Sequence, residues 1–216
     1  GYFTRNYAGI GTIADPVFDY LNLVHTISPI SSVLEIGCTN GFRLDKARLA
    51  FDASCAGLEV SPAAVVEAKS RFPLVDVREG LAPRDLTFWD GETFDVIVVG
   101  HLLYLLPREE LFSLAARVDS LLATDGHLVV MDFLSPVPQQ SAYAHQSVLQ
   151  VFKHDPSAPW TWSPTYELVA RKVYEIAEPR TSAGNPRAWQ TVDLVRKVAA
   201  TTAYPATNPE PSIHDE

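Results

Sequence analysis

Two acids, a spaced pair of glycines and a group of histidines and tyrosines decide what chemistry this chain can do. Glu35 lies in the apolar run Ser32-Val33-Leu34-Glu35-Ile36, and the turn Gly37-Cys38-Thr39-Asn40-Gly41 follows directly. A carboxylate in that place repels a diphosphate and attracts an ammonium group, so the turn suits a ligand with a positive or zwitterionic end. Glu59 follows a second apolar run about 20 residues beyond Gly37, the separation at which an acid of a nucleotide fold meets ribose hydroxyls. Its two oxygens can accept from two vicinal hydroxyls at once. His101 stands just past a third apolar run, Phe94-Asp95-Val96-Ile97-Val98-Val99, where a general base would reach a bound hydroxyl. His145 is a second candidate base and His154 a third, and Tyr104 is placed to orient a substrate.

These residues need strands that end at one edge of a sheet. Val33 to Ile36 fits a buried strand, Gly37 and Gly41 allow a tight turn, and Leu44 to Phe51 resumes at helical spacing. A strand, a glycine turn and a helix form half of a nucleotide site. The dinucleotide fingerprint G-x-G-x-x-G is missing a glycine here, which disfavours a nicotinamide oxidoreductase.

The stretch resembles the first motif of class I S-adenosylmethionine (SAM) dependent methyltransferases, (D/E)-x-G-x-G-x-G, with Thr39 in place of the middle glycine. The resemblance runs through Phe133 and, more loosely, from Tyr166 to Lys197. It implies a doubly wound α/β fold, a seven-stranded, mostly parallel sheet with an antiparallel last strand. It also implies SAM as cofactor and S-adenosylhomocysteine (SAH) as product. The cofactor-binding set is then Glu35, Gly37, Cys38, Gly41, Glu59, Val60, Gly80, Leu81 and Gly100, with the amino acid end at Glu35 and Gly37, the ribose at Glu59 and the adenine at Gly80-Leu81. A narrower resemblance, to bacterial methylases of pseudaminic acid and related sugar biosynthesis, rests on Tyr2-Phe3-Thr4-Arg5-Asn6, on the loop form Glu-x-Gly-Cys-x-x-Gly, and on Ser135-Pro136-Val137-Pro138 followed by Tyr143, His145 and Phe152-Lys153-His154-Asp155. It implies a sugar or sugar-like hydroxyl or amine as acceptor. The residues placed to bind that acceptor are Arg5, Tyr104, Tyr143 and His154, with His101 and His145 as the catalytic candidates.

Along the chain, Asp15-Pro16 reads as a cap and first turn of a helix to about Ile27, and Ser61-Pro62 as the start of another towards Phe72. Leu74 to Val77 makes a short third strand. Pro107 opens a helix, Asp125-Gly126 turns, and His127 to Phe133 forms the fifth strand. Residues 134–165 are rich in proline and aromatics with little periodicity, and read as a long acceptor-side insertion. Tyr166 to Ile176 and Trp189 to Lys197 suit an antiparallel pair around Thr181 to Pro186, although Leu168, Val169, Lys172, Val173 and Ile176 also fit one helix face. The expected organisation is one methyltransferase domain over residues 1–198 and a disordered tail over 199–216.

The 26 acids against 17 bases give a formal net charge of -9, with no basic block to hold a polyanion, so a small-molecule acceptor is expected and nucleic acid is not. No apolar run approaches the roughly 20 residues of a membrane span. Cys38 and Cys55 make neither a disulfide framework nor a zinc spacing, so no metal is expected and a cytoplasmic location is the simplest. The oligomeric state is not legible. A SAM-fold subunit that binds without catalysing is the alternative in another functional class, because nothing in the first motif requires turnover.

Overall fold

The computed structural model describes residues 15–143, 146–176 and 188–206. Helix α1 spans Pro16–Ile27, and its start follows from local chemistry: Asp15 Oδ1 accepts from the Val17 N–H at 3.1 Å, and Pro16 sits in the first turn, where its missing donor costs nothing. Strand β1 (Ser32–Ile36) then leads through the glycine turn into α2 (Phe42–Phe51). The unit repeats as β2 (Ser54–Glu59), α3 (Pro62–Arg71) and β3 (Asp76–Glu79), with the Ser61 hydroxyl capping α3 through the Ala64 N–H. Strand β3 begins two residues later than the apolar pattern suggests, because Leu74 is exposed and Val75 belongs to the turn.

Strand β4 (Phe94–Gly100) buries Val96 to Val99 completely. Each such side chain contributes about 1.5–3 kcal/mol relative to an exposed one, so this run anchors the centre of the sheet. After Pro107 a 3₁₀ turn, Arg108–Glu110, precedes α4 (Leu111–Leu121). Strand β5 (Leu122–Leu134) starts earlier than expected: Leu122 pairs with Phe94, the register shifts, and pairing resumes at Val96 with His127. Asp125, at φ +64, takes up the extra residues.

The segment expected to be an irregular insertion is folded. It forms a hairpin of β6 (Gln139–Tyr143) and β7 (Gln146–Lys153), then the short α5 (Ala158–Thr161). Trp160 drives the last of these into the core, with its indole N–H donating to the Ala115 carbonyl at 3.3 Å. The final pair is β8 (Tyr166–Ile176) and β9 (Ala188–Lys197), so the helical reading of 166–176 gives way to a strand. Leu168, Val169 and Val173 are all exposed there, as an edge strand at the end of the sheet allows, and the register shifts between Leu168 and Ala170. A one-turn helix α6 (Ala200–Ala203) stands at the start of the segment expected as a tail. Residues 207–216 lie outside the described residues, as do Tyr2 to Gly11, Arg5 among them, His145, and Thr181 to Pro186.

Among the described residues, seven strands form one sheet in the order β3-β2-β1-β4-β5-β9-β8. The first five are parallel, and β9 runs antiparallel to both of its neighbours. One face carries Val33, Val96, Val98, Val129 and Leu194 against α1, α2 and α3; the other carries Leu34, Ile97, Val99, Val130 and Val195 against α4, α5 and the 3₁₀ helix Arg84–Trp89. The chain moves outward from β1 to β3 and then returns to β4, so the strand order reverses between β1 and β4. A crevice opens at the carboxyl ends of strands where that reversal occurs. No helix among the described residues is long and apolar enough to cross a membrane.

Candidate functional site

Gly37 and Gly100 mark the two sides of the crevice: a Cβ added at Gly37 would lie 3.5 Å from the Gly100 carbonyl oxygen. Gly37 has φ +83 and Gly41 φ +74, left-handed conformations that glycine adopts freely. Thr39, where the family motif has a glycine, also sits at positive φ, +52, and strains a β-branched residue by about 1–2 kcal/mol. The amides of this loop are engaged within the chain. Gly37 and Cys38 donate to the Leu58 carbonyl at 2.8 and 3.1 Å, Gly41 donates to the Cys38 carbonyl at 2.9 Å, and Thr39 donates to Glu59 Oε2 at 3.0 Å. The Cys38 side chain packs into the core against Gly57, where any Cβ would stand 2.5 Å from its sulfur. Burial raises its thiol far above the usual range, so this residue shapes the loop and is not a nucleophile.

Glu35, only 2% exposed, points into a charged cluster that sequence reading missed. Arg43, in the first turn of α2, donates from Nη1 to Glu35 Oε1 and from Nε to Asp15 Oδ2 at 2.7 Å. Burial raises the Glu35 carboxyl and the Arg43 guanidinium pulls it back. The second oxygen, Glu35 Oε2, is buried without a hydrogen-bond partner among the described residues. A buried acceptor left open is costly, so Oε2 is suited to a donor that arrives with a ligand. Asp15 reads from sequence as a helix cap alone, and Arg43 carries no motif; only the fold brings them to Glu35.

Glu59, at the end of β2, is held by the Thr39 and Ser61 N–H groups, one on each oxygen at 3.0 and 2.8 Å. Burial raises its pKa, opposed by those amides. Each oxygen keeps one lone pair for a ligand hydroxyl. Val60 and Leu81 are exposed apolar side chains after β2 and after β3, the placement a flat base needs. Gly80 is required there, because a Cβ would stand 2.7 Å from the Asp85 Cβ and 2.8 Å from Leu58 Cδ1. The Leu81 N–H donates to Asp85 Oδ2 at 2.8 Å. That leaves Leu81 an apolar contact. Asp85 is held down to about 2 by Arg84 and by this amide.

Past β4, His101 has φ +49, donates its N–H to the Met131 carbonyl at 2.7 Å, and has the Gln190 side-chain nitrogen against its Nε2. Its ring lies 5.7 Å from Phe133 and 6.4 Å from Tyr104; Tyr104 in turn lies edge-on to Phe133 at 5.0 Å and to Tyr143 at 6.3 Å. The structure therefore gathers His101, Tyr104 and Tyr143. Burial first, and then Arg43, push the imidazole down to about 4. Asp132 fixes the turn beneath: Oδ2 accepts from the Leu103 and Tyr104 N–H groups at 2.8 and 3.3 Å, and Oδ1 from that of Phe133 at 2.7 Å. Burial raises its carboxyl to about 7 against these bonds. His154 is engaged elsewhere, with Nε2 2.7 Å from Arg108 Nη1 and Nδ1 2.7 Å from the Asp155 carbonyl oxygen, so both ring nitrogens are committed.

The strand order, with β9 antiparallel between β5 and β8, gives a Rossmann-like fold similar to that of class I SAM-dependent methyltransferases. Residues 33–126, the stretch from β1 into β5, match the family described as "Methyltransferase domain". A search of curated proteins gave no match. Among solved structures, TehB from Haemophilus influenzae is 17% identical with a TM-score of 0.61, over 92% of this chain and 66% of that one, so the chain spans just under two thirds of its length. The N-methyltransferase NodS from Bradyrhizobium japonicum WM9, in complex with SAH, is 20% identical with a TM-score of 0.58, over 84% and 85% of the two chains. An O-methyltransferase from a trans-AT PKS multienzyme of Brevibacillus brevis, also with SAH, is 10% identical with a TM-score of 0.60, over 80% and 68%. At these identities the likeness is one of fold.

Proposed function

We propose that the chain transfers a methyl group from SAM to a hydroxyl or amine of a small polar acceptor, sugar-like in its reacting part, and that nucleic acid is not its substrate. The observation that carries the reading is the buried, unpartnered Oε2 of Glu35 beside Arg43, near the carboxyl end of β1 and next to β2, which ends in Glu59. A zwitterionic amino acid end fits the first pair: Glu35 Oε2 accepts from its ammonium, and Arg43 attracts its carboxylate. The spare lone pairs of Glu59 accept the ribose hydroxyls, and Val60 and Leu81 cover the base.

When bound, SAM supplies a methyl group activated by its sulfonium, whose carbon–sulfur bond breaks as the bond to the acceptor oxygen or nitrogen forms. The residues around it align the acceptor and keep water out, a contribution that can supply most of a displacement's acceleration. His101 stays neutral down to about pH 4. With the Gln190 amide donating to Nε2, the other ring nitrogen carries the proton, so the imidazole orients an acceptor by donating to it and removes no proton itself. Tyr104 and Tyr143 extend the acceptor wall. Arg5 and His145, outside the described residues, retain their proposed roles in substrate binding and proton removal.

Release of SAH, followed while amino sugars, methyl glycosides and sugar nucleotides are offered in turn, tests this reading. Turnover of one class with a hydroxyl or amine at a fixed position is the expected outcome. SAH binding with no turnover of any polar acceptor would favour the non-catalytic reading, which the weak basicity of His101 already fits.

A further inference from the structure

A cavity of about 880 Å³ lies under the folded insertion, and none of the residues assigned to the cofactor lines it. It is walled by Phe112, Trp162 and Trp189 and by Pro136, Pro138 and Pro159. Trp162 is 87% exposed and Phe112 72% exposed, an unusual outlay of large apolar surface for side chains that support no core. The charged side chains, the imidazole and the hydroxyls on its wall are hydrogen-bonded within the protein. Arg171 donates to both oxygens of Asp193 at 2.8 and 2.6 Å and to both of Asp155 at 3.0 and 2.6 Å. His154 has both nitrogens engaged, the Ser135 hydroxyl donates to the Val137 carbonyl at 2.7 Å, and that of Thr161 to the Ser157 carbonyl at 3.3 Å. A charged or polyhydroxylated ligand would have to break these bonds; an uncharged ring would not. Prolines and aromatics, rigid before binding, give a preformed surface for such a ring.

The cavity also adjoins the reacting edge. Trp189 and Leu134, which both line it, are paired across β9 and β5 one residue beyond the Gln190–Phe133 pair that packs on His101; they point to the opposite face of the sheet, and the two faces meet where β5 ends at Leu134. We propose that this cavity binds an uncharged, ring-bearing apolar portion of the acceptor, while the hydroxyl or amine to be methylated lies at the sheet edge by His101, Tyr104 and Tyr143. The acceptor is then amphipathic, a polar reacting group on a flat apolar body. This rests on the methyltransferase reading for its second half only; occupation of the cavity stands by itself.

The test is calorimetry with 2-naphthol, uncharged at neutral pH, against methyl glucoside and benzyltrimethylammonium, with SAH titrated into every sample. The wild-type protein binds naphthol saturably at one site, and neither comparison ligand competes. Trp162→Ala and Phe112→Ala each weaken naphthol binding by about tenfold or more, the loss of one stacking wall, while SAH affinity stays within about twofold. SAH affinity also reports that each variant is folded, which these exposed positions favour. No saturable binding of naphthol, or equal binding in both variants, overturns the proposal while leaving cofactor binding intact. Tighter binding of the ammonium compound overturns the uncharged class. Failure of SAH to bind wild-type protein sinks the methyltransferase reading and leaves the naphthol result to judge the cavity.

Discussion

Gln190, near the start of the antiparallel strand β9, holds its side-chain nitrogen against Nε2 of His101, on the turn that follows β4. The contact joins the late β8–β9 pair of the fold to the edge where the cofactor strands end. It fixes the ring at a backbone position, φ +49, that histidine adopts at a cost. The orientation of the His101 ring thus depends on a residue far along the chain from the first motif.

The pH dependence of stability follows from His101 and Asp132 together. His101 titrates near 6.5 unfolded and about 4 folded, so the native state holds fewer protons between them, and the stability it contributes is lost as pH falls from 6.5 towards 4. Asp132 is displaced the other way, from 3.8 to about 7, so its share is lost as pH rises through the same window. In the wild-type protein these two contributions largely oppose each other. Asp132→Asn should make stability climb with pH by something on the order of 3 kcal/mol, and His101→Gln should make it fall. Urea melts across this window check both signs.

Arg43→Met should destabilise the fold by about 3–5 kcal/mol, because Glu35 and Asp15 lose the cation that holds them in a buried site. Adding Glu35→Gln should recover part of that loss, and cofactor affinity should stay low in both. Thermal melts with and without SAH separate the two effects.

Glu59→Ala should weaken SAM by about 1–3 kcal/mol, since hydrogen bonds to a charged acceptor are stronger than neutral ones. It should also lower stability, because Glu59 holds the Thr39 and Ser61 amides; sequence alone suggests a residue that folding would not miss. Calorimetry alongside a denaturant melt measures both.

Thr39→Gly should stabilise the protein by about 0.5–1 kcal/mol, as glycine takes φ +52 without the clash of a branched side chain. Chemical denaturation reads this directly, and unchanged stability would mean that the threonine side chain makes compensating contacts.

The parallel half of the sheet was legible because its signals are local. Glycine turns, Ser61-Pro62 and Asp15-Pro16 caps and the apolar run of β4 each act within a few residues. The insertion was not: Trp160 finds Ala115 and Arg171 finds Asp155 and Asp193 only once distant strands pair, and no periodicity announces such contacts. At the site, Glu35, Glu59 and the glycines were found through residue type and spacing. Arg43, Asp15, Gln190 and Asp132 escaped, since each acts by touching a residue from another element. The Gly37, Cys38 and Thr39 amides are bonded to β2, a consequence of strand pairing that the motif does not encode.

The most direct test of the central claim is calorimetric titration of ligand-stripped, folded protein with SAM, SAH and NAD. The account predicts one site for SAM and SAH, weakened in Glu59→Ala and Arg43→Met, and no heat with NAD. Heat with NAD and none with SAM or SAH would contradict it.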